Sequence, residues 1–167
     1  MIDKFGKNTL TLFGIGYFKY APGTAASVVT CAFWLLLYSL KINFLLLVFL
    51  YLIVLFYSII LIDKFSKKFS EVDAKEIVID EFLGMSLPLI TFYSLAALHS
   101  DWGEIEQFFL GLILPSFVLF RFFDIVKPYP INLIDKKLKN GLGVVMDDLI
   151  AGLFSLLIVW ITLAYIF

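Results

Sequence analysis

Long apolar runs separated by short polar segments dominate this chain. Residues 42–62 carry only Asn43 and Ser58 as clearly polar side chains and no charge, which is about the 20 residues a helix needs to cross the hydrocarbon of a bilayer. Residues 82–98, 108–126 and 149–167 predict three further spans, and Arg121 and Asp124 lie near the C-terminal end of the second of these. Residues 20–40 are also uncharged. Pro22-Gly23-Thr24 is expected to break a helix there and leave 25–40 as a short span. Residues 10–18 are apolar but too few to cross, so they are expected to lie along the interface or pack beneath the bundle. The expectation is an all-α, polytopic membrane helix bundle with about five spans, the first short or broken, forming one integral membrane domain over residues 1–167.

Composition agrees with that pattern. Hydrophobic residues make up 62% of the 167 residues and the mean hydropathy is +0.99, which leaves too little polar surface to cover a water-facing globule. The formal net charge of −1 argues against nucleic acid as a partner and makes the position of each charge more informative than the total. With five spans, the N-terminus, the 63–80 loop and the 121–148 region share one side and hold every Lys and Arg of the thirteen except Lys41. Basic residues are retained on the cytoplasmic side during insertion, so that side is expected to be cytoplasmic and the acidic 100–107 loop external. The first seven residues are polar and charged, unlike a cleavable signal. The lone Cys31 rules out an intramolecular disulfide and reads as a packing residue.

This topology gathers acids from distant parts of the chain at one membrane level. Asp80-Glu81 opens the third span, Arg121 and Asp124 close the fourth, Asp147-Asp148 opens the fifth and Pro22-Gly23-Thr24 opens the first. Each element has a plain structural reading. Acids at a helix N-terminus complement its dipole, Arg121 and Asp124 at i, i+3 can pair on one helix face, and Thr24 can cap a helix. Five carboxylates at one depth repel one another unless a cation neutralises them, and oxygen-only ligands favour Mg²⁺ or Ca²⁺. Arg121 and Lys127 at the same level suit an anionic partner. Residues 130–139, with Ile131, Ile134 and Leu138 at helical spacing, predict an amphipathic helix on the cytoplasmic leaflet whose lysines attract anionic lipid. Gly141-Leu142-Gly143 reads either as a flexible turn or as backbone able to approach a phosphate.

His99 is expected at the far end of the third span, about a membrane thickness from the acids, which removes histidine nucleophiles and bases. Metal-assisted chemistry by carboxylates remains. A cation transporter would carry acids at mid-span, where this chain has none; a non-catalytic scaffold needs no converging acids. Phosphate release with and without Mg²⁺ separates the three.

Four ordered blocks carry a resemblance. They are Ala21-Pro22-Gly23-Thr24 with Ser27, Ile77-Val78-Ile79-Asp80-Glu81-Phe82-Leu83-Gly84-Met85, Phe120-Arg121-Phe122-Phe123-Asp124-Ile125-Val126-Lys127-Pro128, and Gly141-Leu142-Gly143-Val144-Val145-Met146-Asp147-Asp148 followed by Ala151-Gly152. In these blocks the chain resembles the phosphatidylglycerophosphatase A family of bacterial membrane lipid phosphatases, and Asp73 and Asp135 also fall where that family usually has Asp. The resemblance implies Mg²⁺-dependent hydrolysis of phosphatidylglycerophosphate to phosphatidylglycerol and phosphate at the cytoplasmic leaflet of the inner membrane. It further implies Asp80, Glu81, Asp124, Asp147 and Asp148 around the metal, Arg121 and Lys127 on the substrate phosphate, and Thr24 at the edge of the site. It sets neither the oligomeric state nor the choice between water and an aspartate as nucleophile.

Overall fold

In a computed structural model, residues 2–65, 74–98 and 109–166 are described; the expected external loop, His99 and Asp73 lie outside them. Among the described residues the chain is helical with no strand. Seven α-helices follow in order: α1 (Ile2–Leu10), α2 (Pro22–Ser39), α3 (Phe44–Phe65), α4 (Ile79–Leu98), α5 (Leu114–Val126), α6 (Ile131–Lys137) and α7 (Gly141–Ile166). Four of them, α2, α3, α4 and α7, are long and apolar enough to cross a membrane. The expected fourth span falls on α5, which at 13 residues, preceded by a π-turn over Phe109–Ile113, is not among those four.

Two sequence expectations are corrected at helix starts. Pro22 does not break the first span but begins it, at a position where its missing N–H would have had no helical partner in any case. Gly141-Leu142-Gly143 is not a turn but the first turn of α7, which carries Asp147-Asp148 inside the helix rather than at its opening. The side chain of Asn140 accepts a hydrogen bond from the Gly143 amide at 2.9 Å, and Asp63 Oδ1 accepts one from the Gly141 amide at 2.5 Å. Both amides are occupied by side-chain caps, so this stretch is not a free phosphate cradle.

Exposed apolar side chains on α3, among them Phe49, Ile53, Phe56 and Ile60, and Leu157, Trp160 and Ile161 on α7 would be costly in water and are at home in lipid. The interior centres on α4, which packs along α7, α2 and α3. Three of its polar side chains are paired outside their own helices: Trp34 Nε1 donates to Ser86 Oγ at 2.8 Å, Tyr51 to the Leu83 carbonyl at 3.1 Å, and Tyr93 to the Ile42 carbonyl at 2.5 Å. Each such bond contributes about 1 kcal/mol net, and breaking one side would cost more by leaving a buried group unsatisfied. Beneath one end of the bundle, a second apolar cluster joins Leu10 to Leu61, Ile62, Phe65, Ile77 and Val145. The segment through residues 10–18 therefore packs under the bundle at Leu10, while Phe13, Tyr17 and Phe18 stay exposed.

Candidate active site

Close contact between α4 and α7 builds the acidic centre. A Cβ added at Gly84 would strike the Asp148 carbonyl, 2.5 Å away, and the Phe120 ring, and a Cβ at Gly152 would strike the Gly84 carbonyl. Pro88, four residues after Gly84 in α4, has no N–H to offer that carbonyl. Asp80 precedes Gly84 by four residues and Asp148 precedes Gly152 by four, so the glycine contact one turn away sets the two acids face to face.

Carboxylate oxygens of Asp80, Glu81 and Asp148 all lie within 4.8 Å of one another. Asp80 and Asp148 are buried, and Glu81 Oε2 is a buried oxygen with no hydrogen-bond partner. Asp148 is also within electrostatic reach of Asp124 and Asp147. Two ionised carboxylates about 5 Å apart repel by roughly 3 kcal/mol even at an effective dielectric of 20. Three such pairs approach the whole folding stability of a domain, about 5–15 kcal/mol. A bound cation, or a proton on one carboxyl, relieves that repulsion. Oxygens around an octahedral Mg²⁺ at about 2.1 Å stand roughly 3–4 Å apart, so a small contraction of the observed cluster fits a divalent cation. The orphaned Glu81 oxygen is the lone pair such an ion would use.

The other sequence-predicted acids are held by basic side chains. Arg121 Nη1 lies 2.5 Å from Asp124 Oδ2, yet Nη1 and Nε make no aligned hydrogen bond and both are buried. The pair is ionic contact without directed donation, and it leaves N–H groups that an anion can use. Lys127, the left-handed C-cap of α5, donates to Asp147 Oδ2 at 2.6 Å and lies 3.4 Å from Asp135 Oδ1. Burial alone would lower the Lys127 pKa, but the hydrogen bond and charge of Asp147, with Asp135 and Asp148 behind it, outweigh that and raise it above the usual lysine value. It stays cationic. Its partners here are the carboxylates of Asp147 and Asp135.

Sequence reasoning included Pro22-Gly23-Thr24 only as an edge. Here a Cβ at Gly23 would collide with the Glu81 carboxylate and lie 3.2 Å from Arg121 Nη1, so Gly23 is what lets α2 close over both groups. Thr24 follows in the same turn, half-buried. The role of Asp63 in capping α7 was not legible, because its partner is a backbone amide 78 residues away.

Comparison with known proteins bears on this centre. The sequence profile described as phosphatidylglycerophosphatase A matches residues 9–163. Phosphatidylglycerophosphatase A of Haemophilus influenzae is 34% identical over 148 residues, covering 89% of this chain and 82% of that protein. The Escherichia coli protein of the same name is 32% identical over 143 residues, covering 86% and 74%. A Bacteroides thetaiotaomicron protein with the provisional name phosphatidylinositol-3-phosphatase is 35% identical over 153 residues, covering 89% and 87%. No solved structure matches.

Proposed function

This chain belongs to the phosphatidylglycerophosphatase A family of membrane phosphatases, and from that premise we propose that it hydrolyses phosphatidylglycerophosphate at a Mg²⁺ site on the cytoplasmic face of a bacterial inner membrane. The observation that carries the reading is the buried Asp80, Glu81 and Asp148 cluster, with its unpartnered Glu81 oxygen, next to the unsatisfied N–H groups of Arg121. Asp80, Glu81 and Asp148 would hold the ion, which when bound neutralises phosphate charge and lowers the pKa of water.

The chain's own groups supply the rest. Arg121 directs its buried N–H groups to phosphate oxygens and so orients the monoester. Asp124, in ionic contact with Arg121, accepts the proton of the attacking water. The water oxygen bonds to phosphorus, the bond from phosphorus to the glycerol oxygen breaks, and that oxygen takes a proton from solvent water and leaves as the hydroxyl of phosphatidylglycerol. Lys127 keeps Asp147 in place beside Asp148, and Thr24 with Gly23 closes the rim. Asp80, Glu81 and Asp124 stand in the terminal turns of their helices and Asp147 and Asp148 about two turns into α7, rather than at mid-span, which favours a phosphatase over an ion pathway.

Phosphate release by the purified protein tests this with phosphatidylglycerophosphate and, because of the Bacteroides relative's name, phosphatidylinositol 3-phosphate. Release from the first should require Mg²⁺, stop with EDTA, and fall by about 10³-fold in Asp148→Asn, since a lost ligand removes both charge and geometry. Activity unaffected by EDTA would remove the metal from the mechanism, and preference for the inositol lipid would reassign the headgroup.

A further inference from the structure

Between α2 and the α5 side of the bundle lies an apolar groove of about 290 Å³, lined by Val28, Cys31, Ala32 and Leu35 and, across from them, by Ile113 and Phe117. Its two walls lead to the acidic centre. Thr24 precedes Val28 by four residues and Arg121 follows Phe117 by four, so a polar residue stands one turn along the same face from an apolar lining residue on each helix. The stripes converge where Gly23 meets Glu81 and Arg121. An apolar slot ending at an arginine and a carboxylate cluster matches a phospholipid, with phosphate at one end and hydrocarbon at the other.

Depth and width narrow the occupant. From Thr24 to Leu35 α2 rises roughly 16 Å at 1.5 Å per residue, about half the roughly 30 Å of bilayer hydrocarbon. The groove itself, from Val28 to Leu35, covers roughly 10 Å of that rise, and its far end lies near the midplane. A helix from another chain, about 10 Å across, does not fit into a slot of this volume, whereas a single hydrocarbon chain does.

We propose that the groove seats an acyl chain of the lipid substrate, so that the lipid reaches the centre sideways from its own leaflet with its phosphate delivered to Arg121. This rests on the lipid-phosphatase reading above. The chain gains little by leaving surrounding lipid, which is equally apolar. The groove acts by position: it fixes the phosphate relative to the carboxylates.

Ala32 is the small lining residue, and Ala32→Trp fills the groove. The test compares kcat/KM for dioleoyl phosphatidylglycerophosphate in mixed micelles with that for its deacylated, water-soluble headgroup ester. The ratio of lipid to headgroup should fall about tenfold or more in Ala32→Trp, because a displaced chain misplaces the phosphate. Ile53→Trp, on the lipid-facing surface of α3, should keep the wild-type ratio. An unchanged ratio in Ala32→Trp, or an equal loss on both substrates, overturns the groove as a chain site. Should the tryptophan variant fail to insert, Ala32→Leu is read by the same ratio. If the wild type cleaves neither substrate, or only the headgroup ester, the lipid-phosphatase reading itself fails, and the groove proposal falls with it.

Discussion

Arg121 stands between two partners with different demands. Asp124 needs only a positive charge nearby, and its contact with Nη1 at 2.5 Å lacks hydrogen-bond alignment. A phosphate uses the planar guanidinium fork, which an ammonium group cannot reproduce. Arg121→Lys separates these roles. Lysine still supplies charge at i, i+3, so half-saturation by Mg²⁺ should stay within about twofold of wild type, while kcat/KM for phosphatidylglycerophosphate should fall about 10²-fold or more, the loss of a directed charge-stabilising contact. Near-normal kinetics in the lysine variant would return Arg121 to the role of structural partner for Asp124. The residue types of this centre were legible in the sequence because charge is expensive in lipid and each of these groups needs a reason to be there. Their division of labour was not, since the grouping of Asp80 with Glu81 and Asp148, and of Lys127 with Asp147, depends on side-chain positions across helices.

The contact between α4 and α7 is where element geometry governs chemistry. Gly84 and Gly152 bring the backbones together, and the acids one turn away inherit that spacing. Gly84→Ala places a methyl group 2.5 Å from the Asp148 carbonyl, a backbone atom that cannot rotate aside. Overpacking of this kind costs about 1–3 kcal/mol, and a shift of about 1 Å at reacting groups costs on the order of 10²-fold in rate. Activity should therefore collapse while thermal stability falls by only a few degrees, as read by phosphate release and a melting curve on one preparation. Wild-type turnover in Gly84→Ala would show that the helix spacing does not set the metal geometry. The apolar runs made the long helices legible, because about 20 uncharged residues have few other fates in a membrane. Their starts are less legible for a local reason: Pro22 reads as a breaker and Gly141-Leu142-Gly143 as a turn or a phosphate approach, whereas proline at a first helical position and a glycine amide capped by Asp63 both begin helices.

At the scale of the whole molecule, one end of the bundle collects the N-terminal helix, the end of α3, the start of α4 and the start of α7. Gly6 meets the Phe65 ring, Gly16 the Glu76 carbonyl and Gly141 the Asp63 backbone and side chain. Lys7, Lys64, Lys75, Lys127 and Lys136 belong to segments of this end, whereas Lys41 lies in the short α2–α3 connection at the other. Basic residues resist translocation, so the end rich in lysine should face the cytoplasm, together with the acidic centre. The rule acts through short loops near span ends, and these connections are short. A membrane-impermeant maleimide checks it in cells carrying Lys41→Cys or Lys136→Cys, both exposed positions, with Cys31 buried and therefore a weak background. Intact cells should label Lys41→Cys and spare Lys136→Cys, and inverted vesicles should show the reverse. Labelling of Lys136→Cys from outside would put the carboxylates on the external face, and a substrate lying in the cytoplasmic leaflet would then have to cross the bilayer before its phosphate could reach Arg121.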